Sequence, residues 1–310
     1  MKDIDTVGIE EERREPMRRV AHREAFWGYI FLLPTAIGFV IFVLGPMLGA
    51  MGISTLKWDL LSPPKFAGTG NFAALVKDAR LGLILRNTVL FVIADVLLNM
   101  LLGIALALLL RGKIPRVVGY FARLAFFFPV IVSVSSAAAI WIFFLQKDLG
   151  ILNYYLHLIG LPRIPWLGSS RWALRSVVLF DVWKNVGFYA MVFLAGLHNI
   201  PPQLTEAAIV DGANERQLLR HVTLPLLTPS IFFSVVIALI NGFQVFAQSQ
   251  ILTRGGPGDA SRTVVMYIYE QGFRYFQMGY ASSVAVMLFV VMAGLTLLQF
   301  RASERWVFYQ

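Results

Sequence analysis

The chain has 310 residues, of which 57% are hydrophobic and only 15% charged, with no Cys and a formal net charge of +9. Soluble domains run nearer about 45–50% apolar and about 25% charged, so the composition argues against a soluble enzyme. The lack of Cys excludes disulfides, thiolate metal sites and a Cys nucleophile, and a basic excess in so apolar a chain points to lipid headgroups and topogenic loops rather than to nucleic acid.

In chain order, residues 1–25 are polar and hold Arg13, Arg14, Arg18, Arg19 and Arg23. The apolar run that follows contains Pro34 and Pro46 and lacks the short, small-residue-terminated form of a cleavable signal peptide, so residues 27–53 are expected to form an uncleaved first span. Further apolar runs occupy residues 87–110, 120–145, 176–197, 230–252 and 279–300, each close to the roughly 20 residues that a helix needs to cross a bilayer. Stretches such as 101–110 are apolar on every face, which excludes the alternation of barrel strands. The predicted class is all-α, a polytopic membrane protein with six transmembrane helices. An even number of spans puts both termini on one side. The basic N-terminal tail and the short loop with Arg111, Lys113 and Arg116 share that side, which the positive-inside rule makes cytoplasmic. The expected organisation is a cytoplasmic tail (1–26), a first helix with its outer loop (27–79), a core of five helices (80–301) and a cytoplasmic C-terminal tail (302–310).

The outer connections carry turn chemistry: Pro63, Pro64, Gly68 and Gly70 in the first, Pro162 and Pro165 after an apolar, helix-like piece at 152–159 in the second, and Gly255, Gly256, Pro257 and Gly258 in the third. They suit either simple connectors or an ordered surface that receives a partner. Inside the spans, Asn241, Gln244 and Gln248 are spaced to share one helical face, and Asn185 lies in the span before them. Amides both donate to and accept from hydroxyls, so these residues fit a polar solute path, and equally fit hydrogen bonding between helices. Asp181 and Lys184, three apart, are expected to form a structural ion pair, and Asp95 and Asn99 form a second same-face pair. Ser133, Ser135 and Ser136 beside Pro129 suit backbone satisfaction or close helix packing. Trp141, Trp166, Trp172 and Trp183 read as interface anchors or packing, and His22, His157, His198 and His221 have no metal spacing.

One cytoplasmic loop, residues 198–229, stands apart. Pro201 and Pro202 suit a helix start, Asp211-Gly212 a stop, Asn214 the cap of a second helix and Pro225 its end, so the loop reads as helix, turn, helix. Glu206 lies in or near the first turn of the leading helix, and Ala207 with Ala208 leaves a face small enough for another protein to approach closely. A DNA-binding helix-turn-helix is excluded because its flanks run into lipid.

Glu206-Ala207-Ala208, then Gly212, then Val222 and Leu224-Pro225 at their spacing resemble the EAA loop of the inner-membrane permeases of bacterial ATP-binding-cassette importers, with Val222 where Ile is more usual. Phe243-Gln244-Val245-Phe246, Gly255-Gly256-Pro257 and Gln299-Phe300-Arg301 look like the carbohydrate-importing branch, the type-1 sugar and glycerol-phosphate permeases, although Ala247 stands where that branch commonly has Asp. The resemblance implies a type I permease fold and no catalysis by this chain, with coupling to ATPases through Glu206, Ala207, Ala208, Asp211, Gly212, Leu224 and Pro225. It implies as partners a second related permease, two ATPase subunits that use ATP and Mg, and an outer solute-binding protein met by the loops around Gly255-Gly256-Pro257 and 147–175. It also supplies the direction, import. No cofactor is expected on the chain itself, which lacks a Gly-x-x-x-x-Gly-Lys-Ser/Thr loop. An ion-gradient transporter is the competing class. It would show internal repeats, none of which is evident, and mid-membrane ionisable groups, for which Asp95 and Asp181 alone make a weak case. A membrane enzyme would need converging acid, base and nucleophile, which the sequence does not display.

Overall fold

The computed structural model describes residue 24, residues 26–112 and residues 114–308. The N-terminal arginines, Lys113 and the last two residues lie outside them. The chain divides into two compact units, Met1–Ile53 and Ser54–Gln310. The first holds nearly all of helix α1, Phe26–Ser54, whose mean hydropathy reaches 2.3. A wider π turn, Val40–Leu44, lets Gly45 donate to the Val40 carbonyl just ahead of Pro46, which has no N–H to give.

The second unit opens with a small antiparallel hairpin, β1 (Leu56–Lys57) and β2 (Lys65–Phe66), in the register Leu56 opposite Phe66. Helix α2, Gly70–Lys77, is tied to it by the Asn71 amide, which donates to the carbonyls of Ser54 and Leu56, both at 2.8 Å. Asp78 then caps the N–H groups of Arg80 and Leu81 to start α3, Ala79–Arg111. With 33 residues at about 1.5 Å rise each, α3 exceeds the roughly 30 Å hydrocarbon layer. The chain continues through α4 (Arg116–Ile131), α5 (Val134–Phe144), α6 (Ile151–Leu158) and α7 (Ala173–His198). It then runs through α8 (Pro202–Val210), α9 (Glu215–Leu226), α10 (Thr228–Phe243), α11 (Ala247–Leu252), α12 (Val264–Tyr269) and α13 (Met278–Ser303).

The core lies between α3 and α7, where Ile84, Phe91, Ala107, Val177, Phe180 and Phe193 are completely buried. Gly103 permits the approach, since a Cβ there would meet Phe193 and Tyr189 at 3.1 Å. Trp141 packs on Phe180 and Trp183 at centroid distances of 5.6 and 5.2 Å and serves as core, not as an interface anchor.

All six apolar runs are helical, but two are not straight rods. The third is broken: α4 and α5 meet at 102°, with Val132 and Ser133 extended between them. Hydrocarbon offers no water to the carbonyls such a break exposes. They are met by the Lys184 ammonium, which donates to Pro129, Val130 and Val132 at 3.0, 3.2 and 2.8 Å. Three donors serve three acceptors. Lys184 therefore does not form the expected ion pair with Asp181; the carbonyls freed around Pro129 outcompete that carboxylate. Gly187, one turn further along α7, lies against the backbone of α4, and a Cβ there would sit 1.9 Å from the Phe126 carbonyl oxygen.

The fifth run is interrupted: α10, which meets α9 at 61° just ahead of it, stops at Phe243. Val245 and Phe246 leave the helix, and Thr263 donates to the freed Val245 carbonyl at 2.7 Å. Asn241, Gln244 and Gln248 accordingly do not share one helical face: Asn241 is on α10, Gln244 is its C-cap and Gln248 belongs to α11.

Replacing Lys184 by Met strands three carbonyls and should lower stability by about 3 kcal/mol, with Lys184→Arg recovering part of it; detergent-solubilised thermal unfolding measures both. Gly187→Ala should cost at least about 2 kcal/mol because backbone must move.

Candidate functional site

The loop between α7 and α10 is a helical hairpin. Pro202 opens α8, and Asp211 is its C-cap. Gly212 turns the chain at φ +85°, a left-handed conformation that a Cβ would strain. Asn214 then starts α9 through a reciprocal pair: its side chain accepts from Gln217 N–H while the Gln217 side chain accepts from Asn214 N–H, both at 2.9 Å. Pro225 does not end α9, which runs on to Leu226 after a π turn at Leu219–Thr223; the bend falls two residues later, at Leu227. Glu206 sits in the second turn of α8, not the first.

Exposure divides the hairpin cleanly. Glu206, Ala207, Asp211 and Gly212 are exposed and Ala208 half-buried, with Ile209 at 58% and Val210 at 86% exposure beside them. Leu224 and Pro225 are half-buried, and Ile200 and Leu227 at the two ends are buried. Gly196 brings the end of α7 against the start of α10, where a Cβ would lie 2.3 Å from Ser230 Oγ. The hairpin is thus an exposed tip, carrying the apolar side chains of Ile209 and Val210, on a closely packed base.

A second polar cluster lies within the spans. Asn99 donates to Asp95 at 2.8 Å on α3, as the sequence pairing anticipates. Across the helix interface Asp181 receives Asn185 Nδ2 at 2.9 Å and Gln248 Nε2 at 2.6 Å, and its carboxyl adjoins that of Asp95. The cluster unites Asn185 with Gln248. Asn241, in the last turn of α10, and Gln244, at its end, both stand exposed.

On the opposite face a clamp holds the Gly255–Gly258 turn. Arg80 grips Asp259 with two bonds of 2.8 and 3.1 Å, Arg262 joins Asp259 to the buried Glu270, and Asn87 donates to the Asp259 carbonyl at 2.7 Å. Arg254 and Asp259 adopt left-handed φ of 51° and 69°, tolerable only where the surroundings over-determine them. Next to it Asp78 accepts from Tyr267 and Tyr280 hydroxyls at 2.6 and 2.5 Å and from two N–H groups. Burial would raise the Asp78 pKa, but these hydrogen bonds outweigh it and hold the carboxyl below its ordinary value, while burial and the Asp78 contact push Tyr267 up to about 12. Sequence reasoning missed this clamp because its partners lie far apart along the chain. The Lys184 cap had a signal, Pro129 beside three serines, that went to the wrong partner.

Residues 99–307 match the family described as "Binding-protein-dependent transport system inner membrane component". The chain belongs to this family. It is 35% identical to the probable ABC transporter permease protein YurN of Bacillus subtilis (strain 168), over 88% of this chain and 94% of that one. It is 33% identical to the sulfoquinovosyl glycerol transport system permease protein SmoG of Agrobacterium fabrum, over 84% and 85%. A bacterial alginate ABC transporter, solved with an alginate pentasaccharide-bound periplasmic protein, superposes with a TM-score of 0.81 at 26% identity, covering 91% of this chain and 96% of that one. The chain is therefore a membrane-embedded, non-catalytic permease subunit with the type I importer fold.

A depressed carboxyl pKa gives stability that is present above the unfolded value near 3.8 and lost as pH falls through the lower folded value. Amide exchange at residues 254–263 should accelerate on acidification below about pH 4, and in Asp78→Asn that acid step should shrink.

Proposed function

We propose that the chain is a permease subunit of an ATP-driven, binding-protein-dependent carbohydrate importer, coupled to its ATPases through the 198–229 hairpin. The observation that carries the reading is the hairpin itself: Glu206, Ala207, Ile209 and Val210 exposed on a tip whose base is locked between α7 and α10. A subunit docked on that tip can bias the spans only through a stiff connection, and close packing at Gly196 and Leu227 supplies one. Glu206, Ala207, Ala208, Asp211 and Gly212 present the contact, and Leu224 and Pro225 lead it back into the spans. The ATPases use ATP and Mg, and nucleotide-dependent closure shifts an inward-open to outward-open equilibrium.

The carbohydrate class rests on relatives named for a sugar glycoside and a polysaccharide. A second permease completes the pathway, to which Asn185, Asn241, Gln244 and Gln248 contribute. Both termini are cytoplasmic, and the clamped turn at Gly255-Gly256-Pro257 with residues 147–175 faces the binding protein. A preorganised turn lowers the ordering cost of docking.

In the assembled transporter, Glu206→Lys should reduce binding-protein-stimulated ATP hydrolysis and uptake together by at least about tenfold, roughly one charged contact, with membrane insertion unchanged. Wild-type hydrolysis and uptake would refute coupling at this face. Gln244→Leu should impair uptake while leaving copurification of the ATPase intact.

A further inference from the structure

Asn185 and Gln248 come from different helices, α7 and α11, and are both half-exposed, yet each turns its NH2 group inward to one buried carboxyl. Asp181 Oδ2 takes Asn185 Nδ2 and Asp181 Oδ1 takes Gln248 Nε2. Both Asp181 oxygens accept an amide hydrogen, so reversing either amide would set its carbonyl oxygen against a carboxyl oxygen and lose the bond. Asp181 is 5% exposed and is held from behind by the adjoining Asp95, to which Asn99 is bonded in turn. Among the described residues no hydrogen bond reaches Asn185 Oδ1 or Gln248 Oε1. The neighbouring cation, Lys184, is saturated by the carbonyls of Pro129, Val130 and Val132.

Resting on the permease reading above, we propose that Asp181 is a positioning residue that fixes the Asn185 and Gln248 amides with their carbonyl oxygens outward, making this part of the path a hydrogen-bond acceptor for the hydroxyls of a neutral carbohydrate. Hydroxyl groups donate to such a surface. A phosphate, sulfonate or uronate group offers only acceptors and negative charge, meets carbonyl oxygens backed by two carboxyls, and finds the nearest cation occupied. The cargo class is thus uncharged and polyhydroxylated, even though SmoG and the alginate transporter are named for acidic saccharides.

The test uses the whole transporter, with its second permease, ATPases and binding protein, in proteoliposomes. Neutral probes are maltose, trehalose, cellobiose and arabinobiose; anionic probes are glycerol 3-phosphate and digalacturonate. The wild type should take up at least one neutral probe and neither anionic one. Asp181→Asn allows an amide to reverse. Cargo moved per ATP hydrolysed should then fall about tenfold, the scale of one hydrogen bond, while binding-protein-stimulated hydrolysis stays within about twofold. A merely structural defect lowers both together. Asp181→Glu keeps an acceptor and should recover part of the ratio. If Asp181→Asn does not assemble, Gln248→Leu, which removes one of the oriented amides, should reproduce the fall. Uptake of an anionic probe at a rate comparable with the neutral ones overturns this inference and leaves the permease reading standing, as does an unchanged ratio in Asp181→Asn or Gln248→Leu. ATP-independent uptake, or no uptake of any probe, overturns the permease reading and this inference with it.

Discussion

A carbonyl in hydrocarbon has no water to turn to, and the architecture of this permease is organised around that constraint. Where α4 gives way to α5, the break that Pro129 and the extended Val132–Ser133 pair create would strand backbone acceptors, and Lys184 reaches from α7 to satisfy them. The same helix presses Gly187 onto the Phe126 carbonyl and Gly196 onto Ser230. Helix α7 is therefore the member against which the bent elements are referenced: α4 and α5 at their junction, α10 at its start, and α11 through the Asp181–Gln248 bond.

That arrangement connects the two faces. Toward one end α7 runs into the hairpin whose tip is exposed; within the bilayer it carries Asp181 and Asn185; and its partner α3 begins at the corner where Asp78 and Arg80 hold α12, α13 and the clamped turn. On the proposed reading, a nucleotide-driven displacement of the hairpin reaches the polar cluster through two close contacts of α7, Gly196 against the Ser230 and Leu227 side chains and Gly187 against the Phe126 backbone. Rigid elements joined at discrete breaks have a small number of arrangements, which is what alternating access requires.

The apolar runs were legible because twenty or so uncharged residues have few other fates, and the hairpin because Pro, Gly and Asn mark helix ends by local backbone chemistry. What local reading could not supply was competition between distant partners. Lys184 lies three residues from Asp181, and spacing alone favours their pairing; only the fold shows that three carbonyls from residues 129–132 reach the ammonium instead. Likewise Asn241, Gln244 and Gln248 fit one helical face until the chain leaves the helix after Gln244, and the Asn241-Gly242 pair just ahead of the break lies within α10 itself. The clamp joins Arg80 to Asp259 across most of the chain, beyond any window in which periodicity operates.

The central claim is that this subunit is driven by nucleotide hydrolysis on other polypeptides. The direct measurement is the energy dependence of solute accumulation in vesicles containing the complete complex. The account predicts accumulation that requires ATP inside the compartment bearing the hairpin and persists when all ion gradients are collapsed. Accumulation that follows an imposed ion gradient without ATP, or that the chain sustains with no ATPase present, would contradict it.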